Sequence, residues 1–358
     1  CMPGPSDNLN TAFTQRLTIT INRWLDANLL DLFSSHHPVF YRLRERGNIV
    51  AGGLGVNLIE PIFYPSTTGP QVAGVTDSWN PITHSETGNI SAAQYTPAEY
   101  LLPVSISDYD LDLQGSDTMK VNYAESIMKI SVAKFLEKLN SDIWAAEGVT
   151  GSDGSSRTTL GSLRTYFNGG GSSTTSLGTP AAISEQLVAA VGSAPLTSVG
   201  GIQRNAANAA YWCTPLINPG SAATISLEIV NNIISAATRN NDVPDLVILP
   251  RKRYDTFMSI LQGYQRYTES KLADAGFEAM RYRGADIIFD DNVPTAAPGY
   301  NIFAINTKYL KLRCKTMKPQ FVMVTDPQRP IRAWLARWVG QLTSGNLGRV
   351  HCRHCNIA

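Results

Sequence analysis

The residues best suited to chemistry lie close together near the end of the sequence, in His351-Cys352-Arg353-His354-Cys355. Thiolates and imidazoles are the usual zinc ligands. The spacing speaks against a zinc site. Five consecutive residues cannot turn all four donors onto one tetrahedral ion, and a structural site draws a second ligand pair from elsewhere in the chain. A redox Cys-x-x-Cys opens a helix in a βαβ unit, and no such unit precedes this one. What remains is a tail with two thiols, Cys352 and Cys355, whose cationic neighbours would lower their pKa and make them reactive.

Two further clusters resemble ligand sites and fail on detail. Asp108-Tyr109-Asp110-Leu111-Asp112 opens like a calcium loop. Such a loop needs Gly directly after the third acid and a bidentate Glu at its twelfth position. Leu113 and Met119 stand there. Read as a strand, the run places Asp108, Asp110 and Asp112 on one face and Tyr109, Leu111 and Leu113 on the other. That acidic face suits a basic partner better than a metal. Gly52-Gly53-Leu54-Gly55 has the flexibility of a phosphate-binding turn, but no GxGxxG pattern or Lys-Ser/Thr end accompanies it, and a strand follows. It reads as a bend at the root of an arm. None of the five histidines, His36, His37, His84, His351 and His354, adjoins a nucleophile motif such as GxSxG. No catalytic residue, cofactor or metal is therefore expected, and the chain does not read as an enzyme.

The elements that carry these residues are legible from periodicity. Residues Val121 to Glu147 form the clearest helix. Ala124, Ile127, Met128, Val132, Phe135, Leu139 and Ile143 keep a three-four spacing, with Gly148 as the stop. From Gly47 to Met119 there is no Lys or Arg, and there are eight acids. The stretch has strand signals at both ends, beginning with Val56 to Ile59. Turn segments follow at Pro65 to Gly69 and Glu86 to Asn89, so it reads as a long hairpin arm. Phe13 to Leu32 fits a helical face, with a strand-like alternation in its first half. Gly151 to Pro180 reads as a mobile loop around a short element at Leu160 to Phe167. After Ser226 comes an α+β pattern. Helices are expected at Leu227 to Arg239 and Arg251 to Gln262. Strands are expected at Asp245 to Leu249, Phe277 to Tyr282, Ala285 to Asp290, Tyr300 to Ile305 and Tyr309 to Cys314, in one mixed sheet.

Composition narrows the function classes. Charged residues make up 16% of the chain and hydrophobic residues 43%. So little charge suits a protein that buries much of its surface against copies of itself, and it also suits a loop-rich monomer covered in Ser, Thr and Asn. The formal net charge is +1, without the basic excess of a protein that grips nucleic acid by its phosphates. No apolar run reaches the roughly 20 residues that span a bilayer, and the first residues lack the pattern of a secretory signal. A soluble product without membrane partners is expected. The charge is unevenly laid out. Residues 301–358 hold ten Lys and Arg against one acid, Asp326, opposite in sign to the acidic stretch.

The order of these parts resembles the major capsid proteins of tailed bacteriophages of the Hong Kong ninety-seven type. Local wording is similar too: Gly200-Gly201-Ile202-Gln203-Arg204 with Tyr211-Trp212, Leu246 to Pro250 ahead of Tyr254, Tyr282-Arg283-Gly284-Ala285, and Ile305-Asn306-Thr307-Lys308-Tyr309-Leu310. The resemblance implies an N-terminal arm over 1–46, an extended loop over 47–117 and a peripheral domain over 118–240 with its spine helix at 121–147. An axial domain would follow over 241–325, and a C-terminal return over 326–358 to the junction of the two domains.

By resemblance, the chain would assemble in the host cytoplasm as hexamers and pentamers that close into an icosahedral shell of a virion. The partners implied are a scaffold, a portal, a decorating cement protein and packaged double-stranded DNA touched nonspecifically at most. An encapsulin-like nanocompartment shell has the same fold and is the alternative. The loop would lie across a neighbouring subunit, so Asp108, Asp110 and Asp112 would face Arg329, Arg332, Arg337 or Arg349 of that neighbour. Some shells of this fold close covalently through a loop lysine. The absence of lysine between Gly47 and Met119 implies noncovalent closure at this loop. Cys352, Cys355 or Cys1 is the candidate for an intersubunit disulfide.

Overall fold

The computed structural model describes residues 37–63, 90–113, 117–146, 149–167, 198–204, 212–217, 224–239, 241–261, 280–295, 300–317, 319–325, 331–348 and 350–357. The expected helix at Phe13 to Leu32, the turn segments at Pro65 and Glu86, and Cys1, Arg329 and Arg349 lie outside them.

Helix α1 (Pro38–Glu45) leads through β1 (Ile49–Ala51) into the hairpin of β2 (Leu58–Phe63) and β3 (Ile90–Tyr95). Strand β4 (Ala98–Ser107) ends in a short helix, α2 (Asp108–Asp112), and the long helix α3 (Asp117–Ile143) follows. Next come α4 (Leu163–Tyr166), the ribbon of β5 (Ser198–Val199) and β6 (Ile202–Gln203), and β7 (Leu216–Ile217). Helix α5 (Leu227–Ala237), β8 (Leu246–Leu249) and α6 (Arg251–Ile260) precede β9 (Met280–Tyr282), β10 (Ala285–Phe289) and β11 (Tyr300–Ile305). The chain closes with β12 (Leu310–Cys314), β13 (Gln320–Thr325), β14 (Ile331–Ser344) and β15 (Cys352–Ile357).

Two sheets organise the molecule; the core of the first extends to Leu246, Ile248, Ile288, Phe303 and Ile305 of the second, whose other face has a core of its own. In the first, β14 is the axis. One edge pairs antiparallel with β4 from Ile331↔Ser107 to Gly340↔Ala98, and β13 and β12 share the other. Strand β1 adds to β12 in parallel. The alternation of β4 and β14 is that of a half-buried sheet. Ala98, Tyr100, Val104, Ile106, Trp334, Ala336 and Trp338 point inward. Helix α3 lays Ala124, Met128, Val132, Phe135, Leu139 and Ile143 on that face, the stripe its spacing requires. Phe135, Tyr100 and Trp338 form a tilted and edge-on aromatic cluster with centroids 5.8–6.2 Å apart. With 27 residues, α3 is about 40 Å long.

The second sheet runs in the order β7-β15-β11-β8-β10-β9. Strands β8 and β10 are parallel and β11 antiparallel to β8, so the sheet is mixed, as expected. Leu246 to Leu249 are all buried, which explains an unbroken apolar strand without alternation. Helix α5, capped by Ser226 Oγ accepting from Ile229 N at 3.3 Å, covers this sheet with Val230, Ile233 and Ile234.

Four sequence expectations are corrected. The strand expected at Tyr309 to Cys314 does not join the axial strands but pairs with β1 and β14 in the first sheet. Helix α3 starts four residues earlier than expected and stops at Ile143, not at Gly148. Trp144 is 3% exposed. Its indole donates to Asp290 Oδ2 at 3.0 Å and its ring meets Phe303 at 4.9 Å, so burial in the second lobe ends the helix. Residues 151–167 are not a mobile loop. Ser152, Leu160, Leu163, Thr165, Tyr166 and Phe167 are fully buried, and Gly161 touches Tyr166 so closely that a side chain there would collide with its phenol. The run 351–355, expected as a tail, is an interior strand between β7 and β11.

Candidate assembly interface

The acidic arm is built from an anchored hairpin. Six residue pairs join β2 and β3, from Leu58↔Tyr95 to Phe63↔Ile90. Leu58, Glu60 and Ile62 share the buried face, while Ile59 is 55% exposed on the other. A carboxylate in an inward row requires partners. Glu60 has them: Arg313 at 2.7 Å, Lys311 at 3.2 Å and the Thr343 hydroxyl at 3.1 Å. The root of the arm bends where expected, with Gly52 and Gly53 at φ +94° and +66°, a region that favours glycine.

The outer face of the first sheet is covered at the Gln341–Thr343 end, where Thr343 meets Glu60, and exposed farther along. Pro103, Leu335 and Val322 form one cross-strand row on it, next to Leu101. Leu101 and Val322 are 55% and 60% exposed. On the same face Arg337 pairs with Glu99. The opposed charge blocks therefore meet in part within one chain, because Glu60 and Glu99 belong to the acidic stretch and Lys311, Arg313 and Arg337 to the basic one.

The Asp run is corrected in conformation. Asp108 to Asp112 form a helical turn, not a strand. The β4 ladder runs out at Ser107 opposite Ile331, and acids are favourable in the first turn of a helix. The acids therefore do not line one strand face. Tyr109 and Leu113 are exposed at 71% and 65%. Arg332 lies in β14 opposite Ile106, and Arg337 lies farther along the same strand.

The thiol and imidazole run is corrected in character. Cys352, Cys355, His351 and His354 are at most 2% exposed. Burial pushes the Cys352 thiol up and the imidazoles down, His351 to about 3 and His354 to about 4. His351 Nδ1 accepts from Asn306 N at 3.1 Å, and its ring stacks on Phe167 at 4.6 Å. These groups are packing residues, and a disulfide to a neighbour through Cys352 or Cys355 would require the strand to leave the sheet. Among the described residues no cluster of His, Cys, Asp and Glu could hold a metal ion, and no helix is long and apolar enough to cross a membrane.

Other polar residues hold the frame. Arg204 donates to the Thr165 and Tyr166 carbonyls at 3.2 and 2.6 Å, satisfying the end of α4. Trp212 donates to Val199 O at 2.9 Å. Gly200, at φ +59°, lies where a Cβ would come within 3.0 Å of Tyr95 and Ala93. The Gly-Gly-Ile-x-Arg…Trp wording is thus a packing signature. Sequence reasoning missed Arg42, which reaches from α1 to Asp286 at 2.6 Å and Asp245 at 3.3 Å. No local spacing signals a contact between residues so far apart in sequence. It did not single out Glu60, although the inward row Leu58-Glu60-Ile62 was a usable signal.

No protein-family model and no curated protein matches the chain. Solved structures do. The chain is similar to the capsid asymmetric unit of cyanophage A-1(L), with TM-score 0.58 and 10% identity over 87% of this chain and 90% of that one. It is similar to the capsid of the native GTA particle, with TM-score 0.54 and 10% identity over 88% and 90%. It is also similar to the SrpI encapsulin of Synechococcus elongatus PCC 7942, with TM-score 0.51 and 10% identity over 90% and 88%. The chain has the α+β fold shared by tailed-phage capsid subunits and encapsulins.

Proposed function

We propose that this chain is the major capsid protein of a tailed bacteriophage, a structural subunit and not an enzyme. It would form hexamers and pentamers that close into an icosahedral shell around double-stranded DNA, in the virion. The observation that carries the reading is the match to capsid subunits along nearly the full length of both chains. The exposed apolar row on the first sheet supports it, since such a row suits burial against another copy. Within this reading, residues 47–117 act as the extended loop, the lobe around α3 as the peripheral domain, and the second sheet as most of the axial domain. A scaffold, a portal and a cement protein are the partners it implies.

A nanocompartment shell is the second reading, supported by the likeness to the encapsulin. Electron microscopy of the full chain, expressed alone and with its neighbouring genes, tests both. Closed particles containing DNA when isolated from lysates support the capsid. Closed particles containing a protein cargo and no DNA would favour the compartment. A monodisperse monomer under every condition would defeat both.

A further inference from the structure

A groove of about 410 Å³ lies beside the start of β4. Leu54, Val56 and Val339 give it an apolar lining, and Val56 is 79% exposed. Arg157, Lys315 and Arg337 supply cationic groups to the same groove. Only Arg337 has a carboxylate partner among the described residues, Glu99, so the groove keeps an excess of two positive charges. A larger cavity of about 860 Å³ at Lys308, Lys311 and Arg313 is a weaker candidate. Three of its four cations, Lys308, Lys311 and Arg313, are already held by Asp242 and Glu60.

The chemistry that fits the smaller groove is an acidic segment with an apolar or aromatic anchor. The chain carries one. Helix α2 combines three aspartates with exposed Tyr109, and exposed Leu113 follows it. It cannot reach the groove of its own chain. Glu99 and Val339 mark one end of β4 and Asp108 follows the other, and ten extended residues span about 30 Å. We infer that α2 of one copy docks in the Leu54–Lys315–Arg337 groove of a second copy. This deepens the shell reading and rests on it. Where a copy gives its α2 to one neighbour and receives α2 from another, the contact is head-to-tail, and its repetition generates rings when the rotation closes. Burying Tyr109 and Leu113 would supply attraction, and the charges would set register and encounter rate.

The test uses particles assembled from equal amounts of unlabelled and 15N-labelled full-length chain. A zero-length carbodiimide activates a carboxylate. The Lys315 amine then displaces the activated group, forming an amide and releasing the reagent as its urea. Digestion and mass spectrometry should find Lys315 joined to Asp108 or Asp110 in mixed-isotope pairs. Particles in which Lys315 is joined to neither, or only within one isotopic chain, overturn the docking and leave the shell reading intact. Failure of the wild-type chain to assemble at all removes both. As a second measurement, Asp110→Lys and Lys315→Glu should each slow assembly about five-fold per contact, followed by light scattering. The double variant should recover part of the rate. Equal rates in all four proteins would also overturn the docking.

Discussion

The Tyr100 hydroxyl donates to Asp142 Oδ2 at 2.6 Å, joining the first sheet to the long helix through a buried phenol and a buried carboxylate. The same phenolic oxygen accepts from Leu160 N at 2.8 Å, and Asp142 also receives Lys138 at 2.6 Å. Tyr100→Phe removes two bonds and leaves a buried amide and carboxylate short of partners. A loss of about 2–4 kcal/mol in unfolding free energy is expected, measured by urea denaturation of the capsomer or monomer. A loss below about 0.5 kcal/mol would mean that water replaces the phenol.

How much of this was legible in sequence depends on how local the signal is. Helix α3 and strands β8, β10 and β11 follow from side-chain periodicity or apolar runs, which each segment carries by itself. The place of β12 does not. Leu310 to Cys314 reads as a strand, but its partner Gly340 to Ser344 is set by contacts distant in sequence. The run 351–355 misled because His, Cys and Arg are chemically loud. Their interior setting depends on β7 and β11 flanking them, and no pattern within five residues reveals that. The acids of α2 misled because alternation suits a strand only while the backbone stays extended, and β4 gives way to a helical turn at Asp108.

Glu60 anchors the hairpin arm to β12 and β14. Glu60→Ala should leave Lys311 and Arg313 facing each other without their shared carboxylate. Both cations are partly exposed, so the cost is discounted by solvent to about 1–3 kcal/mol. Hydrogen exchange should rise selectively in Leu58–Phe63 and Ile90–Tyr95. A uniform rise across both lobes would show that Glu60 supports the whole fold instead of the arm.

Cys213, Cys314, Cys352 and Cys355 are all buried, and burial also pushes the Cys314 thiol up, to about 11. Thiolate is the reactive form. Iodoacetamide at neutral pH should leave these four unlabelled in native protein and label them once the chain is unfolded. With no lysine in the acidic arm, reduced and boiled particles should run as a single band near 38.9 kDa. Rapid native labelling of Cys352 or Cys355 would put that strand outside the sheet.

Acid should weaken the fold through His351 and His354. Both are buried and held neutral, titrating at about 3 and about 4 in the folded chain, chiefly through desolvation. In the unfolded chain each takes a proton near 6.5. Above pH 6.5 neither state binds the proton, and these residues add no pH dependence. Below it the unfolded state binds protons that the folded state refuses, so stability falls. The slope contributed is about 1.4 kcal/mol per pH unit for each histidine. It should persist down to about pH 4 for His354 and about pH 3 for His351. Carboxylates add their own loss near the lower end, so the informative window is pH 6.5 to 4.5. His351 stacks on Phe167 in a fully enclosed site, which suits an uncharged planar replacement. His351→Phe should sacrifice the bond from Asn306 N and lower stability at pH 7. It should also flatten the slope between pH 6.5 and 4.5 by about half. Chemical denaturation at half-unit pH steps measures both effects, and parallel curves for wild type and variant would show that His351 is already protonated, or solvated, in the native protein.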